Sequence, residues 1–437
     1  MTPVTVVGAG FAGCEAAWTL AQNGIPVTLW EMKPQKFSPA HHSPDFAELI
    51  CSNSFKASRL ESAAGLLKAE MERLGSLCVP CAKETAVAAG GALAVDRDRF
   101  SALVTEKIRN HPLITVREGE VTEIPDGNVI IATGPLTSEA LSAAIGELIS
   151  AEYLSFFDAA APIVEASSID MDKVFFAARY GRGDDDYINC PFDKDGYEKF
   201  AEELANAESV ELKEFEKRDF KVYEGCMPIE VMARRGVDTM RFGPLKPVGL
   251  RDPKTGHRPW AAVQLRRENE AGTLYNIVGF QTNLKFPEQK RVFSMIPGLE
   301  HAVFARYGVM HRNTFMNSPK LLHADFSLRS DPRIFFAGQM TGVEGYMESA
   351  SSGLIAGIAM ARRLRGLPPL ELPETTMLGA LTRYISSSTA EDFQPMGSNM
   401  GILPPLPEKI KGKAERYGAL AARAMQDLEQ TLRDLEA

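Results

Sequence analysis

The chain has 437 residues, of which 45% are hydrophobic and 24% charged, and its formal net charge at pH 7 is -9. This composition excludes a disordered or low-complexity chain, and the length favours two domains, or one large domain with a sizeable insertion. The acidic balance argues against a protein whose whole surface binds nucleic acid, although a local basic patch is compatible with it.

The N-terminus and the cysteines bear on the compartment. The apolar first residues lack the basic region and the cleavage site of a signal peptide, and no apolar run approaches the ~20 residues that span a bilayer. Six cysteines are few for this length, which fits a compartment where thiols stay reduced. We therefore expect a cytoplasmic protein without membrane contact.

The N-terminal segment predicts a strand, a glycine turn and a helix, followed by a second strand that ends on Glu31. A GxGxxG motif alone is weak evidence, but here a strand precedes it, a helix follows it and an acid closes the next strand. That arrangement seats a pyrophosphate and a ribose. Gly8 is assigned to the tight turn, Gly10 to the approach of backbone N–H groups to phosphate, and Gly13 to helix packing. The predicted cofactor-binding residues here are Gly8, Ala9, Gly10, Phe11, Ala12, Gly13 and Glu31.

The remaining elements predict a split domain. A long loop over residues 33–55 is expected to be functional, and helices are predicted over 60–74 and 98–108. Shorter strands with scattered proline and glycine occupy about 151–329. The predicted fold is therefore α/β, a doubly wound Rossmann-like FAD-binding domain split by an inserted α+β domain. Residues 1–150 and 330–437, the latter with C-terminal helices, form the FAD-binding domain, and residues 151–329 form the inserted domain.

A second glycine-rich segment favours FAD over NAD. Residues 334–346 predict a strand, a glycine turn and a helix N-terminus, which is how split flavoproteins bring backbone amides to the flavin end of the cofactor. The turn at residues 132–134 fits the same architecture. The predicted binding residues of this segment are Gly338, Gln339, Gly342, Val343, Glu344, Gly345 and Tyr346.

Five segments together resemble the folate- and FAD-dependent uracil-5-methyltransferases of tRNA, the TrmFO family, which is related to the MnmG/GidA flavoproteins of wobble-uridine modification. They are residues 6–13, 49–56, 90–97, 223–230 and 338–346, and the resemblance runs along most of the chain. It implies methyl transfer to C5 of uridine 54 in the T loop of tRNA. The one-carbon donor would be methylenetetrahydrofolate, and reduced FAD would supply electrons that come ultimately from NAD(P)H.

Two cysteines fall where that family has its functional cysteines. The resemblance implies Cys226 as the nucleophile that adds to C6 of uracil, and Cys51 as a base or as protection for a reactive flavin adduct, with the two roles open to exchange. A thiolate suits addition to C6 and later departure. Without the resemblance, a buried inert thiol is the ordinary interpretation of either residue.

The other cysteines favour structural roles. Cys78 and Cys81 have the spacing of a redox dithiol or half a zinc site, but no second CxxC and no paired histidines accompany them, so packing is favoured and no metal site is predicted. Cys14 and Cys190 are expected in the core.

A run of basic residues in the predicted insertion, interleaved with Phe242, Pro244 and Trp260, suits a phosphate backbone and a flipped, stacked base. Residues 151–329 are therefore predicted to form the substrate (RNA)-binding domain. A solvated charged face is the standing alternative. The basic residues are Arg234, Arg235, Arg241, Lys246, Arg251, Lys254, His257, Arg258, Arg266 and Arg267.

Four alternatives stay open. The same chemistry directed at ribosomal RNA has the same sequence features. The wobble-uridine flavoprotein needs a partner GTPase and is expected to be longer at its C-terminus than this chain. This alternative is therefore disfavoured, and no obligatory protein partner is predicted. A non-catalytic FAD-bearing RNA-binding protein has no use for two thiols so placed, and a plain NAD(P)H oxidase has no use for the basic run.

Overall fold

A computed structural model describes residues 3–149, 153–181, 186–210, 227–269, 271–387, 393–408 and 410–436. The strands are β1 (Val4–Val7), β2 (Val27–Glu31), β3 (Ser54–Ala57), β4 (Ala86–Val87), β5 (Ala92–Val95), β6 (Ile114–Glu118), β7 (Val129–Ile131), β8 (Tyr153–Ala160), β9 (Ile163–Glu165), β10 (Phe175–Phe176), β11 (Tyr187–Phe192), β12 (Ala261–Arg267), β13 (Leu274–Ile277), β14 (Phe304–Arg306), β15 (Val309–Met316) and β16 (Ile334–Phe336). The helices are α1 (Phe11–Gln22), α2 (Ala63–Arg73), α3 (Cys78–Glu84), α4 (Arg97–Arg109), α5 (Glu139–Leu148), α6 (Lys194–Asn206), α7 (Ile229–Arg235), α8 (Thr239–Phe242), α9 (Phe286–Phe293), α10 (Ser318–Leu321), α11 (Tyr346–Leu364), α12 (Met377–Ser387) and α13 (Lys413–Glu436).

A five-stranded parallel sheet carries the predicted nucleotide-binding unit. Its order is β16-β7-β1-β2-β6, and every neighbouring pair is parallel. Strand β16 comes from the C-terminal part of the chain and pairs with β7, with Ile334 opposite Val129. The sheet is therefore built from both halves of the chain, as the Rossmann-like prediction requires.

The other sheets of the described residues are antiparallel. A six-stranded sheet has the order β10-β11-β12-β13-β9-β14, and β8 pairs with β15 as a two-stranded ribbon. A three-stranded sheet, β3-β5-β4, follows the long loop that contains Cys51. The prediction of shorter strands over about 151–329 is wrong: β8 and β15 have eight residues each, whereas no strand of the parallel sheet has more than five.

Two large hydrophobic clusters accompany these sheets. One contains the buried faces of the parallel sheet, α1, α4 and α11, and the other contains those of the six-stranded sheet with α6 and α9. Residues between Phe315 and Leu328 pack in the first cluster. The division of the chain at residues 150 and 329 stays a prediction.

The helix predictions over 60–74 and 98–108 are confirmed as α2 and α4, with boundaries set by capping side chains. Ser62 accepts the N–H of Gly65, and Asp96 accepts the N–H of Arg99. Among the described helices, none combines the length and the apolarity that a membrane crossing needs.

Close packing of α1 on α11 brings the two glycine-rich segments together. A Cβ placed on Gly353 of α11 would lie 2.0 Å from the carbonyl oxygen of Ala12, and one on Gly357 would lie 2.9 Å from Cβ of Thr19. Only a residue without a side chain allows this backbone approach. The small residues of α11 thus place residues 338–346 beside the N-terminus of α1.

Candidate functional site

One cavity collects most of the predicted cofactor-binding residues. Its wall comes from the carboxyl ends of parallel strands, the N-terminus of α1 and the start of α11, which is where ligands bind in open α/β sheets. The predicted residues that line it are Gly8, Ala9, Gly10, Phe11, Ala12, Glu31, Cys51, Gly338, Gln339, Glu344, Gly345 and Tyr346.

The glycine loop has the shape that a dinucleotide phosphate requires. Gly8 has φ +97°, and a Cβ there would lie 2.7 Å from the carbonyl oxygen of Ala132. A Cβ on Gly10 would meet nothing within 4 Å, so the space over this residue opens into the cavity. Because α1 begins at Phe11, its first backbone N–H groups and the positive end of its dipole would face an anion bound in the space over Gly10.

Glu31 holds the loop in place. Its carboxylate accepts the N–H of Ala9 at 2.7 Å and the N–H of Lys33 at 3.0 Å, and the side chain is buried. The carboxylate keeps acceptor capacity toward the cavity that it lines. The position fits both the predicted contact with ribose hydroxyls and a structural bond to the glycine loop.

Three predicted residues lie behind the cavity wall. A Cβ on Gly13 would lie 1.7 Å from the carbonyl oxygen of Gly8, and one on Gly342 would lie 2.6 Å from the ring of Phe393. Val343 is fully buried and bridges to Met396. For Gly13 this agrees with its assigned packing role. For Gly342 and Val343 a direct cofactor contact stays a prediction.

The long loop supplies lining residues that the sequence motifs missed. Lys33, His41 and Glu48 line the cavity, and so does Glu120 after β6. Lys33 is buried, donates to the carbonyl oxygen of Asp45 at 2.5 Å and lies 3.5 Å from a carboxylate oxygen of Glu48. The length of the loop was the only signal for Lys33, His41 and Glu48, and no signal pointed to Glu120, because none of these residues belongs to a recognised motif.

Cys51 lies at the edge of the cavity, in contact with Tyr346. Its Sγ is 3.1 Å from the phenol oxygen, which also accepts the backbone N–H of Cys51 at 2.8 Å and that of Ser52 at 3.4 Å. Burial raises the pKa of Tyr346 well above its ordinary value, so the phenol keeps its proton.

Two arginines and a glutamate surround this contact. Arg306 donates to the carbonyl oxygen of Cys51 at 3.4 Å, and Arg97 pairs with the buried carboxylate of Glu268. Burial, and then the neighbouring charge of Arg97, lowers the pKa of Arg306. Within the described part of the chain, Nη2 of Arg97, Nε of Arg306 and Oε1 of Glu268 are buried without a hydrogen-bond partner.

Cys226 lies outside the described residues, as does the rest of 211–226. The described chain resumes at Met227, and the N–H of Ile229 bonds to the carbonyl oxygen of Gln281. The role of Cys226 stays a prediction.

The remaining cysteines are buried, as predicted. Cys14 and Cys190 are completely enclosed, and so are Cys78 and Cys81 at the start of α3. Burial raises the pKa of Cys81 to about 12 and that of Cys78 well above its ordinary value. Inert thiols are expected under such conditions.

The basic run divides into structural and exposed members. Arg266 is buried and donates to Asn53 and Ser52, while Arg241 stacks on Trp260 at 3.8 Å and bonds to its carbonyl oxygen. Lys254 donates to the carbonyl oxygens of residues 171, 172 and 174. The side chain of Phe242, which lies within this basic run in the sequence, is 83% exposed. The exposed members without these structural bonds include Arg235, Lys246, His257 and Arg258.

The parallel sheet, the split glycine-rich site and the acid at the end of β2 define the class: a flavoprotein of the GidA type. Residues 3–368 match the family described as Glucose inhibited division protein A. The solved Aquifex aeolicus GidA (form II crystal) superposes with a TM-score of 0.72 at 16% identity, covering 98% of this chain and 73% of that one, so it shares the fold.

Similarity to curated proteins narrows the class to one family. A protein of Enterococcus faecalis is 57% identical over 433 residues, 99% of each chain, and bears the name Methylenetetrahydrofolate--tRNA-(uracil-5-)-methyltransferase TrmFO. A protein of Heliobacterium modesticaldum with the same name is 58% identical over 98% of this chain and 97% of its own. The chain belongs to the TrmFO family.

Proposed function

We propose that this protein methylates C5 of uridine 54 in the T loop of tRNA, with methylenetetrahydrofolate as the one-carbon donor. The observation that carries the proposal is sequence identity of 57–58% over nearly the whole chain to proteins whose names state this folate-dependent tRNA reaction. The names specify tRNA, and this favours tRNA over ribosomal RNA. The two thiols at family positions favour an enzyme over a non-catalytic RNA-binding protein.

FAD fits the cavity between the two glycine-rich segments. The open space over Gly10 and the N-terminus of α1 suit its pyrophosphate, Glu31 suits a ribose, and residues 338–346 suit the flavin end. When bound and reduced, FAD supplies the two electrons that take a one-carbon unit from the methylene to the methyl level. NAD(P)H is proposed as the source of those electrons.

The protein's thiols activate the uracil. C5 is a poor nucleophile until a group adds to C6, and we assign that addition to the sulfur of Cys226. The bond from sulfur to C6 makes C5 an enolate carbon, which then bonds to the one-carbon unit. A base removes the C5 hydrogen as a proton while the bond from the one-carbon unit to its donor nitrogen breaks, which leaves an exocyclic methylene on C5. A hydride, which reduced FAD would supply, converts this methylene to the methyl group, and the sulfur leaves C6 so that the C5–C6 double bond is restored. Cys51 at the cavity edge is the candidate base.

The exposed basic residues of the inserted region are the proposed RNA contact. Arg235, Lys246 and Arg258 are available to phosphates, and the exposed ring of Phe242 suits stacking on a nucleobase. Arg266 is removed from the predicted set, since its guanidinium is buried against the Cys51 loop.

The decisive experiment is transfer of labelled carbon from methylenetetrahydrofolate to unmodified tRNA and to ribosomal RNA, with NAD(P)H. The comparison includes the wild type, Cys51→Ala and Cys226→Ala. We expect label in the T-loop uracil of tRNA, lost in both variants while FAD content and tRNA affinity stay at wild-type levels. Label in ribosomal RNA alone would move the substrate. Absence of label in both RNAs from an FAD-loaded protein would contradict the proposed activity.

A further inference from the structure

Cys51 lies in surroundings that differ from those of the other described cysteines. Cys14, Cys78, Cys81 and Cys190 are completely buried, whereas Cys51 is partly exposed at the cavity. Reactive thiols are found in partly exposed, electropositive sites, and inert ones in apolar interiors. The neighbours of Cys51 therefore decide its protonation state.

The phenol of Tyr346 is positioned to donate to the sulfur. Its oxygen accepts two backbone N–H groups, from Cys51 and Ser52. A phenol oxygen that accepts two hydrogen bonds has its own hydrogen left to donate, and Sγ of Cys51 at 3.1 Å is within reach. A donated hydrogen bond stabilises the charged form of its acceptor, which is here the thiolate.

The cluster of charged side chains beside the sulfur carries a net positive charge. Arg97 and Arg306 bring two positive charges, and Glu268 brings one negative charge. The electrostatic neighbours of both arginines include Cys51 and Tyr346. Buried N–H groups of both arginines lack a partner among the described residues, although buried guanidinium groups are normally paired. A thiolate at Cys51 would neutralise this cluster.

We propose that Cys51 is held as a thiolate, and that Tyr346, Arg97 and Arg306 are the positioning residues that stabilise it. The assignment deepens the proposed function, because a thiolate is the form that accepts the C5 proton of uracil. The proton of the Cys51 thiol is released to solvent before substrate binds. The other charged or titratable groups that line the cavity among the described residues are Glu31, Lys33, His41, Glu48, Glu120 and Glu344.

The test follows the pH dependence of Cys51 alkylation in the full-length, FAD-loaded protein. Iodoacetamide forms an S–C bond with the thiolate and releases iodide, and peptide mass spectrometry reports the modified cysteine. We expect half-maximal alkylation at least one pH unit below the ordinary thiol value of about 8.5. The four enclosed cysteines are expected to stay unmodified in the folded protein.

Substitutions at Arg306 and Tyr346 distinguish an electrostatic effect on the Cys51 thiol from a general loss of structure. Arg306→Gln is expected to raise the pH of half-maximal alkylation by about one unit or more, which corresponds to an about tenfold smaller thiolate fraction near neutral pH. Arg306→Lys keeps the positive charge and is expected to restore most of the wild-type midpoint. Tyr346→Phe keeps the ring and is expected to raise the midpoint as well. Arg179→Gln is the matched control. Arg179 is also partly buried, but it bonds to Gln264 and to carbonyl oxygens of residues 246 and 248, and its electrostatic neighbours are Tyr180 and Tyr187 instead of Cys51.

A wild-type midpoint near 8.5 would overturn the proposal. So would midpoints of Arg306→Gln and Tyr346→Phe that match the wild type in proteins with unchanged melting temperature. The alkylation experiment contains neither RNA nor folate, so a failure of the thiolate proposal is distinguishable from a failure of the methyl-transfer experiment.

Discussion

At the residue scale, two glycines of the phosphate loop, Gly10 and Gly13, have different surroundings. Gly10 faces open space, whereas a Cβ on Gly13 would overlap the carbonyl oxygen of Gly8 at 1.7 Å. The same chemical change therefore has different consequences at these two positions. A methyl group added at Gly10 enters the cavity, whereas one added at Gly13 pushes the loop away from the helix.

Gly10→Ala is expected to fold like the wild type and to bind FAD about tenfold more weakly, or worse, because a methyl group occupies space that the pyrophosphate needs. Gly13→Ala is expected to lose about 1–3 kcal/mol of stability through overpacking. Melting temperature and FAD titration of the apoprotein distinguish the two effects. Full FAD affinity in Gly10→Ala would show that the phosphates bind elsewhere.

At the element scale, a buried carboxylate joins α2 to α12. Glu70 accepts the N–H groups of Met377 and Leu378 at the start of α12, both at 2.8 Å. The bonds satisfy two amides that a helix N-terminus leaves without internal partners. Burial raises the pKa of Glu70 to about 7, so this helix contact depends on pH.

Because the folded-state pKa of Glu70 lies above its unfolded value of about 4.5, the folded state binds the proton more tightly. The contribution of this group to stability is fully present below that value and is lost as pH rises through about 7. Glu70→Gln removes the titration. Between pH 5 and pH 8 the stability of Glu70→Gln should improve relative to the wild type by about 2–3 kcal/mol, measured by urea unfolding. Parallel pH profiles of the two proteins would contradict this.

At the scale of the whole molecule, the Cys51 loop is bonded to the six-stranded sheet. Asn53 is fully buried and donates to the carbonyl oxygens of Val95 and Arg267, at 2.9 and 2.7 Å. Arg266 donates to Oδ1 of Asn53 at 3.0 Å and to Ser52 at 3.1 Å. These bonds connect β12, in the region proposed to bind RNA, to the thiol at the cofactor cavity.

Asn53→Ala is expected to lower the rate of methyl transfer more than about tenfold with FAD content unchanged, because a loop displacement of about 1 Å is enough to misplace a reacting group. Asn189→Ala is the matched control. Asn189 is an equally buried asparagine that bonds to Gln264 and to carbonyl oxygens of residues 175, 177 and 187, away from the Cys51 loop. It should lose comparable stability but keep its rate below the melting temperature. Equal rate losses in both variants would assign the effect to general destabilisation.

Local sequence determined the elements and the chemistry that depend on contiguous residues. The strand, glycine turn and helix at residues 4–22 follow from hydrophobic periodicity and from the spacing of the glycines, of which Gly8 and Gly13 leave no room for a Cβ. Cys51 is recognisable because its motif is contiguous.

Only the tertiary structure decided which distant residues meet. Arg266 is a buried support of the Cys51 loop instead of an RNA contact, and Arg97 and Arg306 reach Cys51 from separate elements. A hydrogen bond between residues 213 positions apart leaves no trace in local periodicity, because packing of the whole chain brings its partners together.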